Sequence, residues 1–272
     1  MTILQAIILG VLQGLTEFLP ISSSGHLVVL PFFLNWQLPE KEMFIFNVLV
    51  QVGTLVAVII YFWKDLIGII TDFFKQLING TPFATINSRL GWLLIVATIP
   101  AGLAGLFLHD LVEATFTSPL FAGIALMVTA LLMILGEKIS QRVGIIQDIT
   151  LLEALFMGVM QSLALFPGIS RSGATISGGM MRHLRREAAG KFSFLMAVPI
   201  MLAAGGLSTY QMLTEVPDLA SFLPMMAIGF ITALVVGYIA IRWLLRFLVN
   251  NSLIYFSIYC LLLGGATILV SV

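Results

Sequence analysis

Near the start of the chain a carboxylate, three consecutive hydroxyls and an imidazole fall within one short run, EFLPISSSGH, which holds Glu17, Ser22, Ser23, Ser24, Gly25 and His26. A second run, FPGISRSGATIS, holds Ser170, Arg171, Ser172, Gly173 and Thr175. A carboxylate or imidazole beside a hydroxyl is the equipment of acid–base and nucleophilic chemistry. A guanidinium offers planar, bidentate donation to phosphate oxygens, and a Ser/Gly turn that opens a helix presents free N–H groups at the positive end of the dipole. Gln13 lies four residues before Glu17, so the two share a helical face. The residues named in the two runs supply five serines, one guanidinium, one imidazole and one carboxylate, a set that fits a phosphate-bearing ligand. Each group also has a plainer reading: the serines as helix caps, the imidazole as satisfied structure, Arg171 as neutraliser of Glu17. Convergence favours a site, because the charges expected at membrane depth all fall in these two runs.

The elements that must position these residues are apolar helices. Of 272 residues, 60% are hydrophobic and only 10% charged, with thirteen Lys+Arg balancing thirteen Asp+Glu. That is too little charge to coat a water-facing surface, and it excludes a soluble enzyme, a nucleic-acid binder and a disordered tail. The apolar runs are too long and unbroken for a β-barrel. Six stretches are long enough to span a bilayer, at about 44–62, 90–108, 118–136, 192–212, 222–244 and 252–271. The segment from Lys64 to Gly80 alternates Lys64, Asp65, Asp72 and Lys75 with Leu66, Ile69, Ile70, Phe73 and Leu77, the pattern of an interfacial connecting helix. The amino-terminal run lacks a basic region and a cleavage site and reads as retained structure. Cys260 is the only cysteine, so no disulfide framework exists. Asn47 and Gln51, in the first full span, read as span-to-span hydrogen-bonding groups, with cavity lining as the alternative.

Two regions, 1–34 and 151–182, are apolar at both ends and interrupted by the Ser/Gly runs, and they are copies of one another. Gly10–Gly25 aligns without gaps to Gly158–Gly173 at an offset of 148, with nine of sixteen positions identical, among them Gln13/Gln161, Ser22/Ser170, Ser24/Ser172 and Gly25/Gly173. The copies differ at Glu17/Leu165, Ser23/Arg171 and His26/Ala174, so the first carries reactive groups and the second an anion clamp. If each interrupted region dips in and returns to its own side, eleven basic residues collect on one face against Lys41 alone on the other, with Arg171 inside the second run. Were both regions full spans, the split would be five against seven. The positive-inside bias therefore favours re-entry. The expectation is an all-α integral membrane protein, one domain over 1–272, with six transmembrane helices plus two re-entrant helical hairpins. They form an inverted-topology repeat (about 1–140 and 149–272) with both termini outside. The basic stretch Arg182 to Lys191 reads as the inside signal and an anionic-lipid contact.

At QGLTEFLPISSSGHL (Gln13 to Leu27) and PGISRSGATISGGM (Pro167 to Met180) the chain resembles the undecaprenyl-diphosphatase, or bacitracin-resistance, family over essentially its whole length. The resemblance implies hydrolysis of a C55 isoprenoid diphosphate carrier to its monophosphate at the outer face of the bacterial cytoplasmic membrane. It thereby implies recycling of that carrier for cell-wall synthesis, and bacitracin resistance. It further implies a divalent cation, Mg²⁺ or Ca²⁺, at Glu17 and Gln13, where many members carry Glu in place of Gln13. Ser24 stands where the family often has Thr. Ser23 is implied as nucleophile with His26 as base, Ser22 and a metal-bound water being the alternatives. Arg171, with Ser22, Ser24, Gly25, Ser170, Ser172, Gly173 and Thr175, would hold the phosphates. The partners implied are the polyprenyl diphosphate and membrane lipids, with no nucleic acid. The rival class is a transporter or flippase of an anionic lipid or small anion built on the same repeat.

Overall fold

The computed structural model describes residues 1–36, 40–115, 118–215, 220 and 223–271. The described chain is built from helices: α1 (Ile3–Phe18), α2 (Ser23–Phe33), α3 (Glu40–Tyr61), α4 (Trp63–Ile78), α5 (Ile86–Phe107), α6 (His109–Glu113), α7 (Pro119–Ile139), α8 (Leu151–Leu163), α9 (Arg171–Met181), α10 (Arg186–Glu215), α11 (Leu223–Asn250) and α12 (Ile254–Ser271). Six are long and apolar enough to cross a membrane, within α3, α5, α7, α10, α11 and α12, where the hydropathy of the sequence places spans. Many large apolar side chains on their outer faces are exposed, Leu106, Phe107, Leu262 and Leu269 among them, as expected of a protein whose solvent is lipid. α4 is the amphipathic connector, with Ile69 buried and Lys64 and Lys75 exposed.

Four of the shorter helices, α1, α2, α8 and α9, carry the Ser/Gly runs. At about 1.5 Å per residue, α1 is about 24 Å long, α2 and α9 about 16 Å and α8 about 20 Å, each short of an ~30 Å hydrocarbon core. Local chemistry sets their ends. Thr2 and Gln5 form a capping box that starts α1, and Thr150 with Glu153 does the same for α8. Pro20 holds Leu19 in extended backbone and stops α1. Pro167 and Gly168 separate α8 from α9, Gly168 at φ +97°, where a Cβ would lie 2.5 Å from the Ala122 carbonyl oxygen. α2 folds back on α1 and α9 on α8. At the open end of the second pair, Arg182 and Glu153 form an ion pair at 2.8 Å. At the open end of the first, Met1, Ala6, Leu30 and Trp36 share one apolar cluster with Met212 and Met226.

Packing crosses between the two halves of the chain. α1 lies on α11 and α8 lies on α5, while α7 pairs with α12 and α3 with α10. The aligned glycines Gly10 and Gly158 make the first two contacts. A Cβ on Gly10 would meet the Gly229 carbonyl oxygen at 2.8 Å, and one on Gly158 the Ala97 carbonyl oxygen at 2.5 Å. Such approach of backbones is how apolar helices gain packing energy where lipid removes the hydrophobic drive between them.

Most of the described basic residues, Arg171 apart, gather at one end of the bundle. Glu137 there accepts from Arg186 at 2.6 and 2.8 Å, from Arg142 at 3.0 Å and from the Leu253 N–H at 2.7 Å. Lys191 pairs with Asp65 at 2.6 Å, and Arg89 donates to the Gln147 carbonyl. These contacts tie α7, α10, α4, α5 and the α11–α12 connection together and close that end. Lys64, Lys75, Lys138, Arg185, Arg242 and Arg246 are exposed around it.

Candidate active site

The tips of the two hairpins meet inside the bundle, and the sequence positions that align also play the same local part. Ser22 caps α2 by accepting from the Gly25 N–H at 3.2 Å, and Ser170 caps α9 by accepting from the Gly173 N–H at 3.0 Å. Each following serine then reaches across to the other tip. Ser24 Oγ accepts from the Gly168 N–H at 3.4 Å, and Ser172 Oγ donates to the Leu19 carbonyl at 3.2 Å. One difference is conformational: Ser22 sits at φ +72°, a sparsely populated region for a residue with a Cβ, whereas Ser170 sits at φ −70°.

On this joint frame the charged groups converge. Glu17, on the last turn of α1, accepts from Ser23 Oγ at 2.6 Å and from Gln13 Nε2 at 3.0 Å on one oxygen, and from Arg171 Nη2 at 3.1 Å on the other. The first is the short contact of a hydroxyl donating to a carboxylate. Both side chains of the ion pair are mostly shielded, Arg171 at 13% and Glu17 at 10% exposure. Arg171 Nη1 is buried and has no hydrogen-bond partner, and neither has Gln13 Oε1. An unmatched buried donor and an unmatched buried acceptor in the same cluster are costly unless a ligand or water completes them.

His26 is buried but points elsewhere. Its Nδ1 lies 2.7 Å from the Ser22 carbonyl and its Nε2 2.7 Å from the Tyr259 hydroxyl, with the two rings stacked. A carbonyl only accepts, so Nδ1 carries the proton and Nε2 is left to accept from Tyr259. Both ring nitrogens are thus engaged, and the hydroxyl of Ser23 goes to Glu17 instead. Of the other residues singled out from sequence, Ser23 and Ser24 are partly open, while Ser22, Gly25, Ser170, Ser172, Gly173 and Thr175 are buried. Thr175 donates to the Arg171 carbonyl at 2.7 Å and lies 2.6 Å from Ser193 Oγ, so it braces the helix that carries Arg171. Asn47 makes no span-to-span bond through Oδ1, which is buried without a partner.

Three residues essential to this geometry escaped the sequence reading. Thr129, on α7, accepts from the Ser170 N–H at 3.0 Å and donates to the Gly168 carbonyl at 3.1 Å, pinning the second tip. Tyr259 holds His26, and Ser193 holds Thr175. All lie in apolar spans where a single Thr, Ser or Tyr has no local signal; only their partners give them meaning.

A divalent cation can be tested against these groups. Among the described residues no cluster of three or more His, Cys, Asp or Glu side chains is placed to hold a metal. Glu17 and the unmatched Gln13 Oε1 nevertheless put two hard oxygen donors on successive turns of α1. That fits an ion completed by substrate phosphates and water, as Mg²⁺ commonly is.

A family model described as bacitracin resistance protein BacA matches residues 6–266. Relatives named undecaprenyl-diphosphatase align over nearly the whole chain. One from Methanosphaera stadtmanae is 39% identical, covering 99% of this chain and 98% of the relative. One from Chlorobium phaeobacteroides is 41% identical, covering 97% and 95%. One from Thermomicrobium roseum is 40% identical, covering 99% and 98%.

Proposed function

The chain belongs to the bacitracin resistance protein BacA family, and from that premise we propose that it hydrolyses undecaprenyl diphosphate to undecaprenyl phosphate and inorganic phosphate. It thereby returns the lipid carrier to cell-wall synthesis and confers bacitracin resistance. The observation that carries the chemistry is the Ser23–Glu17–Arg171 cluster. A hydroxyl held at 2.6 Å by a carboxylate lies beside a guanidinium with one nitrogen unmatched.

Ser23 Oγ attacks the terminal phosphorus and gives its proton to Glu17. The bond from that phosphorus to the bridging oxygen breaks, and undecaprenyl phosphate leaves with the bridging oxygen. Glu17 passes that proton to the departing phosphate, then takes one from the water that attacks the phosphoserine. It gives this proton to Ser23 Oγ as the bond from phosphorus to Ser23 breaks and inorganic phosphate is released. Ser23 is favoured over Ser22 because Ser22 is buried and committed as a helix cap. Glu17 replaces His26 as the base because it, and not the imidazole, receives the Ser23 proton. His26 holds the strained Ser22 backbone in place. Arg171 and Ser24 meet the phosphates, while Ser22, Gly25, Ser170, Ser172, Gly173 and Thr175 shape the turns that aim them. A divalent cation, when bound at Glu17 and Gln13 Oε1, supplies neutralisation of phosphate charge.

The deciding experiment is phosphate release by the purified chain in detergent, given polyprenyl diphosphate and Mg²⁺. Release at several turnovers per second or more is expected. A transporter would release none, and absence of release sinks the phosphatase reading.

The same proposal includes the topology. The two hairpins are re-entrant, the halves 1–140 and 149–272 form an inverted repeat in one membrane domain, both termini lie outside and the site opens to the outer face. Support comes from the reciprocal packing of α1 on α11 and α8 on α5, and from the ion pairs that close the basic end. Arg185→Cys is expected to react with an impermeant maleimide only from the cytoplasm and Glu215→Cys only from outside. Cys260 is buried and gives little background. Labelling of both from one side contradicts the arrangement.

A further inference from the structure

Gln161 is the repeat counterpart of Gln13, yet the two amides are differently engaged. Gln13 donates through Nε2 to Glu17. In the second copy the matching position is Leu165, and Gln161 has neither Nε2 nor Oε1 hydrogen-bonded although it is only 3% exposed. A buried amide with both ends unmatched is an anomaly in an apolar bundle, where no bulk water reaches it. Gln161 sits on the buried stripe of α8 with Ala154, Met157 and Gly158. The register of the hairpin says what it faces. Met157 packs where a Cβ on Gly179 would lie, and Met160 where one on Gly178 would lie. Four residues after Met157 and three after Gly158, which packs on Ala97 of α5, Gln161 lies one helical turn nearer the tip, between the α9 and α5 faces of α8 and level with the first turns of α9, which carry Arg171 and Thr175.

We propose that Gln161 is a substrate-binding residue whose amide N–H groups, together with Arg171 Nη1, take the oxygens of the phosphate that stays on the lipid. The inference rests on the phosphatase reading above and deepens it. A diphosphate presents two phosphoryl groups, one attacked and one leaving. The first copy supplies the groups that react with the former, and the second copy lacks an acid and so leaves its amide free for the latter. An uncharged donor suits that place: it orients the leaving phosphate without adding a second fixed cation in low dielectric.

Gln161→Leu separates a ligand role from a structural one. With no bond to lose inside the protein, the substitution removes an unmatched polar group. Tm in detergent is therefore expected to stay the same or rise. KM for polyprenyl diphosphate is expected to rise tenfold or more with kcat within about threefold. Gln161→Glu, which sets a negative charge against the diphosphate, is expected to raise KM further than Gln161→Leu. Inorganic diphosphate is expected to raise the Tm of the wild-type chain and to lose that effect in Gln161→Leu. An unchanged KM overturns the proposal, and so does a Tm lowered by several degrees alongside the KM change, which assigns Gln161 a structural partner or water. The two readings fail separately. A wild-type chain that releases no phosphate counts against the phosphatase reading, while equal protection of both chains by inorganic diphosphate counts against Gln161.

Discussion

Ser23→Ala is expected to lower the turnover of polyprenyl diphosphate by about a thousandfold or more, with Tm within a degree or two of the wild-type chain. The hydroxyl donates to Glu17, and in the proposed mechanism it is the group that forms the new bond to phosphorus. Its removal takes away an exposed-side donor from a carboxylate that keeps Gln13 and Arg171, so little stability goes with it. The informative comparison is with its neighbours. Ser22→Ala deletes a helix cap, a loss of about 1 kcal/mol, and is expected to lower Tm while turnover falls far less. His26→Asn removes the contact with Tyr259 and loosens Ser22, so an intermediate loss is expected, through kcat and Tm together. Phosphate release measured for the three variants at saturating lipid decides the matter. If His26→Asn is as damaging as Ser23→Ala with an unchanged Tm, the proton goes to His26 and the assignment of Glu17 as base is wrong.

The second large effect concerns the pair that joins the hairpin tips. Glu17→Gln keeps the shape of the side chain but removes the proposed base and the counter-charge of Arg171. A loss of 10²–10⁴-fold in turnover is the usual worth of a general base. Arg171→Met is expected to be equally inactive, because the phosphate loses its only cationic donor from the two runs. Stability tells the two apart from a simple list of contacts. Removing one member of a shielded ion pair leaves the other uncompensated, a penalty of about 3–5 kcal/mol. Removing both leaves no such charge. Each single variant should therefore melt lower than the wild-type chain, and the double variant Glu17→Gln with Arg171→Met should recover part of that loss while staying inactive. Thermal unfolding of the four chains in one detergent reads this. Strictly additive losses would mean that the two side chains are not a pair.

The membrane-length helices were legible because burial in lipid demands long apolar runs, and no tertiary contact is needed to recognise them. The start of α10 shows where that signal stops. Hydropathy begins near residue 192, but the helix starts at Arg186, because its first turns carry charges that bond to Glu137 and Asp65 rather than to lipid. The hairpin tips were legible through their repetition: two copies of Gln, Ser, Ser and Gly in register expose a constraint that one copy hides. Partner choice was not legible. His26 and Ser23 are three residues apart on one helix, which invites pairing, yet the fold brings Tyr259, 233 residues away, to the imidazole and Glu17 to the hydroxyl. Thr129 was invisible for the same reason, since its value lies in two backbone groups on a distant turn.

The meeting of the two tips makes each a structural part of the other. Ser24 Oγ accepts from the Gly168 N–H and Ser172 Oγ donates to the Leu19 carbonyl, so a change that deforms one turn displaces the other. The charges at the junction are divided between the copies: Glu17 aligns with the uncharged Leu165, and Arg171 with the uncharged Ser23. Two like charges a few ångströms apart in low dielectric cannot both stay charged, whereas here opposite charges meet between the tips at 3.1 Å. The divergence of the two copies is therefore what gives this bundle its shielded ion pair.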